Sequence, residues 1–175
     1  MSWPHQDTRP FNSRPSSTLY QTKDQPMTTS SRIVVGVDGS PASVSALRWA
    51  ARQAALTDSS LEATISWEYP MQYGNELLYE GIDWVDLARS TLATALAEAD
   101  PGMEINSVVT EGHPAQVLIA ASANADLLVV GSRGRGGFAG LILGSVSQYV
   151  TAHASCPVLV VRAPDHPAPA AQQDS

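Results

Sequence analysis

Residues 126–147, reading DLLVVGSRGRGGFAGLILGSVS, leave this chain few ways to fold. Leu127, Leu128, Val129 and Val130 are apolar and partly β-branched, the composition of a parallel strand covered on both faces. Gly131 ends that strand. The glycine-rich loop that follows lets the backbone approach a ligand closely and turn its N–H groups onto an anion. A helical pattern begins at Gly144-Ser145, so the unpaired N–H groups and positive end of a helix dipole point back into the same loop. Strand, loop and helix start together describe a cradle for phosphate.

Composition narrows the chemistry of that cradle. Of 175 residues, 10 are Lys or Arg and 17 Asp or Glu, a formal net charge of −7 that argues against a nucleic-acid partner, whose phosphates need a basic face. The sole lysine is Lys23, near the N-terminus. A Walker-type phosphate loop and Schiff-base chemistry both require a lysine, so backbone N–H groups, hydroxyls and arginine must do the holding. No apolar run approaches the roughly 20 residues of a membrane span, and no apolar signal core opens the sequence. One cysteine, Cys156, forms no internal disulfide, which suits a reducing cytoplasm; just before the last strand it reads as a small packed residue.

The remaining segments alternate strand and helix. Residues 1–31 mix Pro, Ser, Thr and Gln without periodicity and read as a disordered leader, within which Met27 is a second candidate start. Residues 163–175, rich in Pro and Ala, read as a disordered tail, leaving 32–162 as the folded domain. Residues 32–37 form a first strand. Ser40 is then a natural N-cap with Pro41 at the first helical position, and Val44, Leu47, Ala51 and Ala54 follow a helical stripe. A strand over 61–67 leads to an irregular loop over 68–81, then to a helix over about 82–99 with Val85, Leu87, Leu92 and Leu96 inward. A strand over 105–110, a helix from Pro114 to about 123 with Val117, Leu118 and Ala121 inward, the strand over 126–130, a helix over 144–153 and a strand over 157–161 complete the pattern. His113, just ahead of its helix, reads as a packing or capping residue. Strands separated by helices run parallel, which gives an open doubly wound α/β sheet of five strands with helices on both faces.

The spacing Gly131, two residues, Gly134, nine residues, Gly144-Ser145 resembles the nucleotide signature of the ATP-binding branch of the universal stress protein family. The resemblance runs from Arg32 to Arg162, through an opening IVVGVDGS and a closing CPVLVVR. It implies an adenine nucleotide alpha hydrolase-like sheet of order 3-2-1-4-5, whose crevice lies between the carboxyl ends of the first and fourth strands. There it implies a site for ATP with Mg²⁺, formed by Val37, Asp38, Ser40, Trp67, Gly131, Arg133, Gly134, Gly144, Ser145, Val146 and Ser147. Gly134, Gly144 and Ser145 hold phosphate in that picture, with Ser147 in support, and the adenine lies against the end of the second strand near Trp67. Asp38 has two readings, a turn or cap residue and a carboxylate for ribose hydroxyls or a metal. Arg133 and Arg135 either screen phosphate charge or are solvated.

Three functions follow from the resemblance: an ATP-dependent regulatory switch; a slow ATPase or self-phosphorylating enzyme using Ser145 or Ser147; and a stress protein that works through its surface. Hydrolysis needs a positioned base and strong charge neutralisation at the γ-phosphate, and His113 and Asp38 are the sequence's only candidates. The resemblance also implies a cytoplasmic homodimer paired through the apolar edge strand Val158–Val161.

Overall fold

The computed structural model describes residues 31–69, 81–134 and 143–163. The proposed leader and tail lie almost wholly outside these residues, as do Arg135, the middle of the glycine loop and most of the loop over 68–81. The described elements are β1 (Arg32–Gly36), α1 (Pro41–Thr57), β2 (Ser60–Trp67), α2 (Trp84–Ala99), β3 (Asn106–Glu111), α3 (Pro114–Ser122), β4 (Leu127–Gly131), α4 (Ser145–His153) and β5 (Val158–Val161). The strands form one sheet of order β3-β2-β1-β4-β5, and every neighbouring pair is parallel.

The two-residue period of each strand divides its side chains between two cores. Ile33, Val35 and Val37 join Leu61, Ala63, Ile65 and Val129 beneath α1 and α2. Val34, Leu128 and Val130 turn the other way, toward Ala115 and Leu118 of α3 and Val150 of α4. Both faces of β1 and β4 are therefore apolar, as their uninterrupted sequence anticipated.

The helices use smaller residues at their core than the sequence stripe suggested. In α2 the buried set is Ala88, Leu92, Ala95 and Ala99, spaced four, three and four residues apart. Leu87, expected inward, is 49 % exposed because that alanine stripe puts it on the flank. Alanine lets α1 and α2 pack close to the sheet, and both helices end on an aspartate in the left-handed region, Asp58 at φ 51 and Asp100 at φ 44. At the amino end of the sheet, Arg32 N–H donates to Asp126 Oδ2 at 2.8 Å, while its guanidinium reaches Glu62 Oε1 at 2.8 Å and the carbonyls of Ala121 and Asn124. That clamp ties β1, β2, α3 and the entry to β4 together, well away from the carboxyl ends where the site forms. Among the described residues no helix is long and apolar enough to cross a membrane.

Candidate functional site

The strand order reverses at β1, which pairs with β2 on one side and β4 on the other. Neighbouring connections leave that point in opposite directions, so a crevice opens beyond the carboxyl ends of β1 and β4. A cavity of about 490 Å³ occupies it, on the face covered by α3 and α4. Val37, Asp38, Gly131, Arg133, Gly134, Gly144, Ser145, Val146 and Ser147 all line it. The fold thus brings together two segments nearly a hundred positions apart.

On the α4 side the cavity meets the start of a helix. Gly144 is the N-cap of α4, has no side chain with which to cap it, and its own N–H donates to the Ser132 carbonyl at 2.8 Å. The first intrahelical bond outward from it is Gln148 N–H to the Gly144 carbonyl, at 2.9 Å. Helix geometry leaves the N–H groups of Ser145, Val146 and Ser147 without an intrahelical acceptor, at a terminus that carries about half a positive charge. Among the described residues a Cβ built on Gly144 meets nothing nearer than 3.6 Å, so none of them requires glycine there.

The other two glycines answer to packing. A Cβ on Gly131 would lie 2.8 Å from the backbone of Ala42 and Ser43, because the first turn of α1 rests on the end of β4. A Cβ on Gly134 would lie 2.5 Å from Asp38 Oδ2. Asp38 Oδ1 meanwhile accepts from Ser40 N–H at 2.9 Å, so the carboxylate closes the β1 turn with one oxygen and reaches the glycine loop with the other.

Three site residues stand differently from the expectation. Ser40 does not line the cavity: it is buried, its Oγ accepts from Ser43 N–H at 3.2 Å and donates to the Arg133 carbonyl at 3.2 Å, so it positions the loop from behind. Ser147 is buried and its hydroxyl donates to the Gly131 carbonyl at 2.6 Å, fixing the strand end and leaving its backbone N–H for a ligand. Trp67 is not in the cavity wall. Counting by twos along β2, it falls with Ile65 on the α1 and α2 face, where its ring meets Tyr69 edge-on at 5.2 Å. The wall takes Thr64 and Ser66 instead, together with Gly36, Pro114 and Leu118. Strand parity in the sequence carried that signal: Thr64 and Ser66 share a face with Glu62, opposite the apolar Leu61, Ala63 and Ile65.

The titratable groups are few. Among the described residues the cavity is lined by one carboxylate, Asp38, and one cation, the exposed Arg133. His113 faces a separate hollow between β3 and α3. No group of three or more His, Cys, Asp or Glu is arranged to hold a metal among the described residues. Cys156 packs against the α3 and α4 core, and burial pushes its thiol pKa up, which disfavours the reactive thiolate.

The parallel sheet of order β3-β2-β1-β4-β5, with a cavity at its switch point and an open helix N-terminus on the rim, is a doubly wound α/β architecture. The sequence pattern of the Universal stress protein family matches residues 29–162, and the chain belongs to that family. It is 39% identical over 142 residues to universal stress protein Rv2623 of Mycobacterium tuberculosis, an alignment covering 74% of this chain and 44% of that protein. The chain therefore spans about half the length of the curated relatives it matches. Among solved structures, it resembles a universal stress protein crystallised in complex with cAMP, with a TM-score of 0.59, 28% identity and coverage of 77% of this chain and 98% of that one. An Archaeoglobus fulgidus universal stress protein in complex with dAMP shares the fold, with a TM-score of 0.53 at 21% identity, covering 77% and 99% of the two chains.

Proposed function

We propose that this chain binds an adenine nucleotide, foremost ATP, and acts as a nucleotide-dependent switch in a stress response. The observation that carries the reading is the open N-terminus of α4, three backbone N–H groups at the mouth of a cavity of about 490 Å³. That volume falls in the range of small-molecule sites. Phosphates rest on the N–H groups of Ser145, Val146 and Ser147, beside Gly134. Arg133 screens their charge, and the ribose hydroxyls donate to Asp38. The 28%-identical relative solved in complex with cAMP supports an adenine nucleotide as the ligand.

The same residues fit Mg²⁺ only through the nucleotide. With one carboxylate on the described wall, a divalent ion would be held chiefly by phosphate oxygens. ATP hydrolysis draws less support, because His113 lies in another hollow and Asp38 is partly engaged in its turn. A partner or a second copy then reads whether the crevice is occupied. Assembly as a homodimer is part of this proposal: among the described residues β5 pairs with β4 alone, and Val158, Leu159, Val160 and Val161 are each half-buried in the single chain.

The test is direct. The purified chain is denatured and its supernatant resolved by anion exchange, and the refolded protein is titrated with ATP by calorimetry. Near-equimolar adenine nucleotide, or saturable binding, supports the reading. No nucleotide and no heat at millimolar ATP would leave a protein that works through its surface alone.

A further inference from the structure

We infer that the hydroxyl of Ser66 is the specificity-determining group of the cavity, reading the far edge of a purine base. The inference rests on the nucleotide reading above and adds to it which side chain selects the base. If phosphate sits on α4 and ribose beside Asp38, the base projects across β1 toward β2. Two strand spacings separate the ends of β4 and β2, about 10 Å, roughly the span from a nucleotide's α-phosphate to its base. The glycosidic bond then points back toward Asp38, so the edge that meets β2 carries N1 and the 6-substituent.

The wall at that end is almost wholly apolar, formed by Gly36, Val37, Pro114 and Leu118. Two hydroxyls interrupt it, those of Thr64 and Ser66. Thr64 is buried, and its hydroxyl hydrogen goes to Glu62 Oε1 at 3.2 Å. Glu62 is held in turn by Arg32 at 2.8 Å and by Asn106 at 3.1 Å, so Thr64 keeps nothing to donate to a ligand. Ser66 makes no hydrogen bond among the described residues, and no buried side-chain polar atom there lacks a partner, so its unpaired Oγ is open to the cavity. It is therefore the one side chain at this end able to donate as well as accept. A purine reaches it. A pyrimidine, one ring shorter, stops short of β2.

The experiment is calorimetric titration of the full chain and of Ser66→Ala with ATP and UTP. The wild type is expected to favour ATP. Ser66→Ala should weaken ATP by about 3- to 10-fold, the loss of one hydrogen bond, and change UTP by less than about twofold, with the melting temperature unmoved. A ligand-side cut gives a second reading that needs no variant to fold: 1-deaza-ATP or purine riboside triphosphate should bind the wild type about 3- to 10-fold more weakly than ATP. Wild type that binds ATP and UTP alike, or a Ser66→Ala variant with an unchanged ATP to UTP ratio, would overturn the inference and leave nucleotide binding intact. Wild type that binds neither would instead remove the nucleotide reading on which it stands.

Discussion

Two helices begin on the rim of the same crevice, and they begin in opposite ways. At α1 the sequence closes the end itself: Ser40 Oγ takes the Ser43 N–H, Pro41 has no N–H to leave unpaired, and Asp38 Oδ1 takes the N–H of Ser40. At α4 the cap is Gly144, which brings no side chain, and the first turn begins with three N–H groups open. Nearly equal N-cap backbone geometry thus yields a closed helix end in one place and an open one in the other, with serine at one N-cap and glycine at the other.

The comparison breaks most sharply at Gly144. Gly144→Asp turns the open end into a closed one: the carboxylate caps the Ser147 N–H, favours the helix dipole and sits where phosphate is proposed. It should raise stability by some tenths to about 1 kcal/mol and cut ATP affinity by on the order of 100-fold or more, measured by urea denaturation and calorimetry.

Gly131→Ala tests the packing half. Its Cβ would press on the backbone of Ala42 and Ser43 at 2.8 Å, so α1 must shift off β4. A loss of about 1–3 kcal/mol in urea denaturation is expected, against almost none for a Cβ at Gly144 on steric grounds. Ser40→Ala removes the cap that makes α1 the closed end and frees the Arg133 carbonyl. It should cost about 1 kcal/mol of stability, with any loss of ATP affinity arising through the loop.

The smallest effect is at Cys156. Its raised pKa means the folded state disfavours thiolate, so the thiol's contribution to stability is intact below its ordinary pKa and is lost as pH rises through the raised value. Native protein should react with a thiol reagent near pH 8 more slowly than the urea-unfolded chain. Equal rates would show the site to be open.

The sequence made β1, β4 and β5 legible because each is a short apolar run with glycine, proline or aspartate at one end or both. The parallel order followed from resemblance, since no periodicity records which strands are neighbours. The α4 end of the cavity was legible too, because its groups are backbone and glycine spacing reports backbone. The β2 end was not. Trp67 draws the eye as an aromatic at a strand end, yet alternation along β2 sends it to the α1 and α2 core and hands the cavity to Thr64 and Ser66. The separate reasons for the three glycines were likewise invisible, because Gly131 answers to α1 and Gly134 to Asp38, contacts made only on folding.

The most direct test of the account is a thermal melt of the wild type and of Gly144→Asp, each with and without millimolar ATP. The account predicts that ATP raises the melting temperature of the wild type, and that Gly144→Asp melts at or above the ligand-free wild type with no response to ATP. A Gly144→Asp protein shifted by ATP as far as its parent would contradict it.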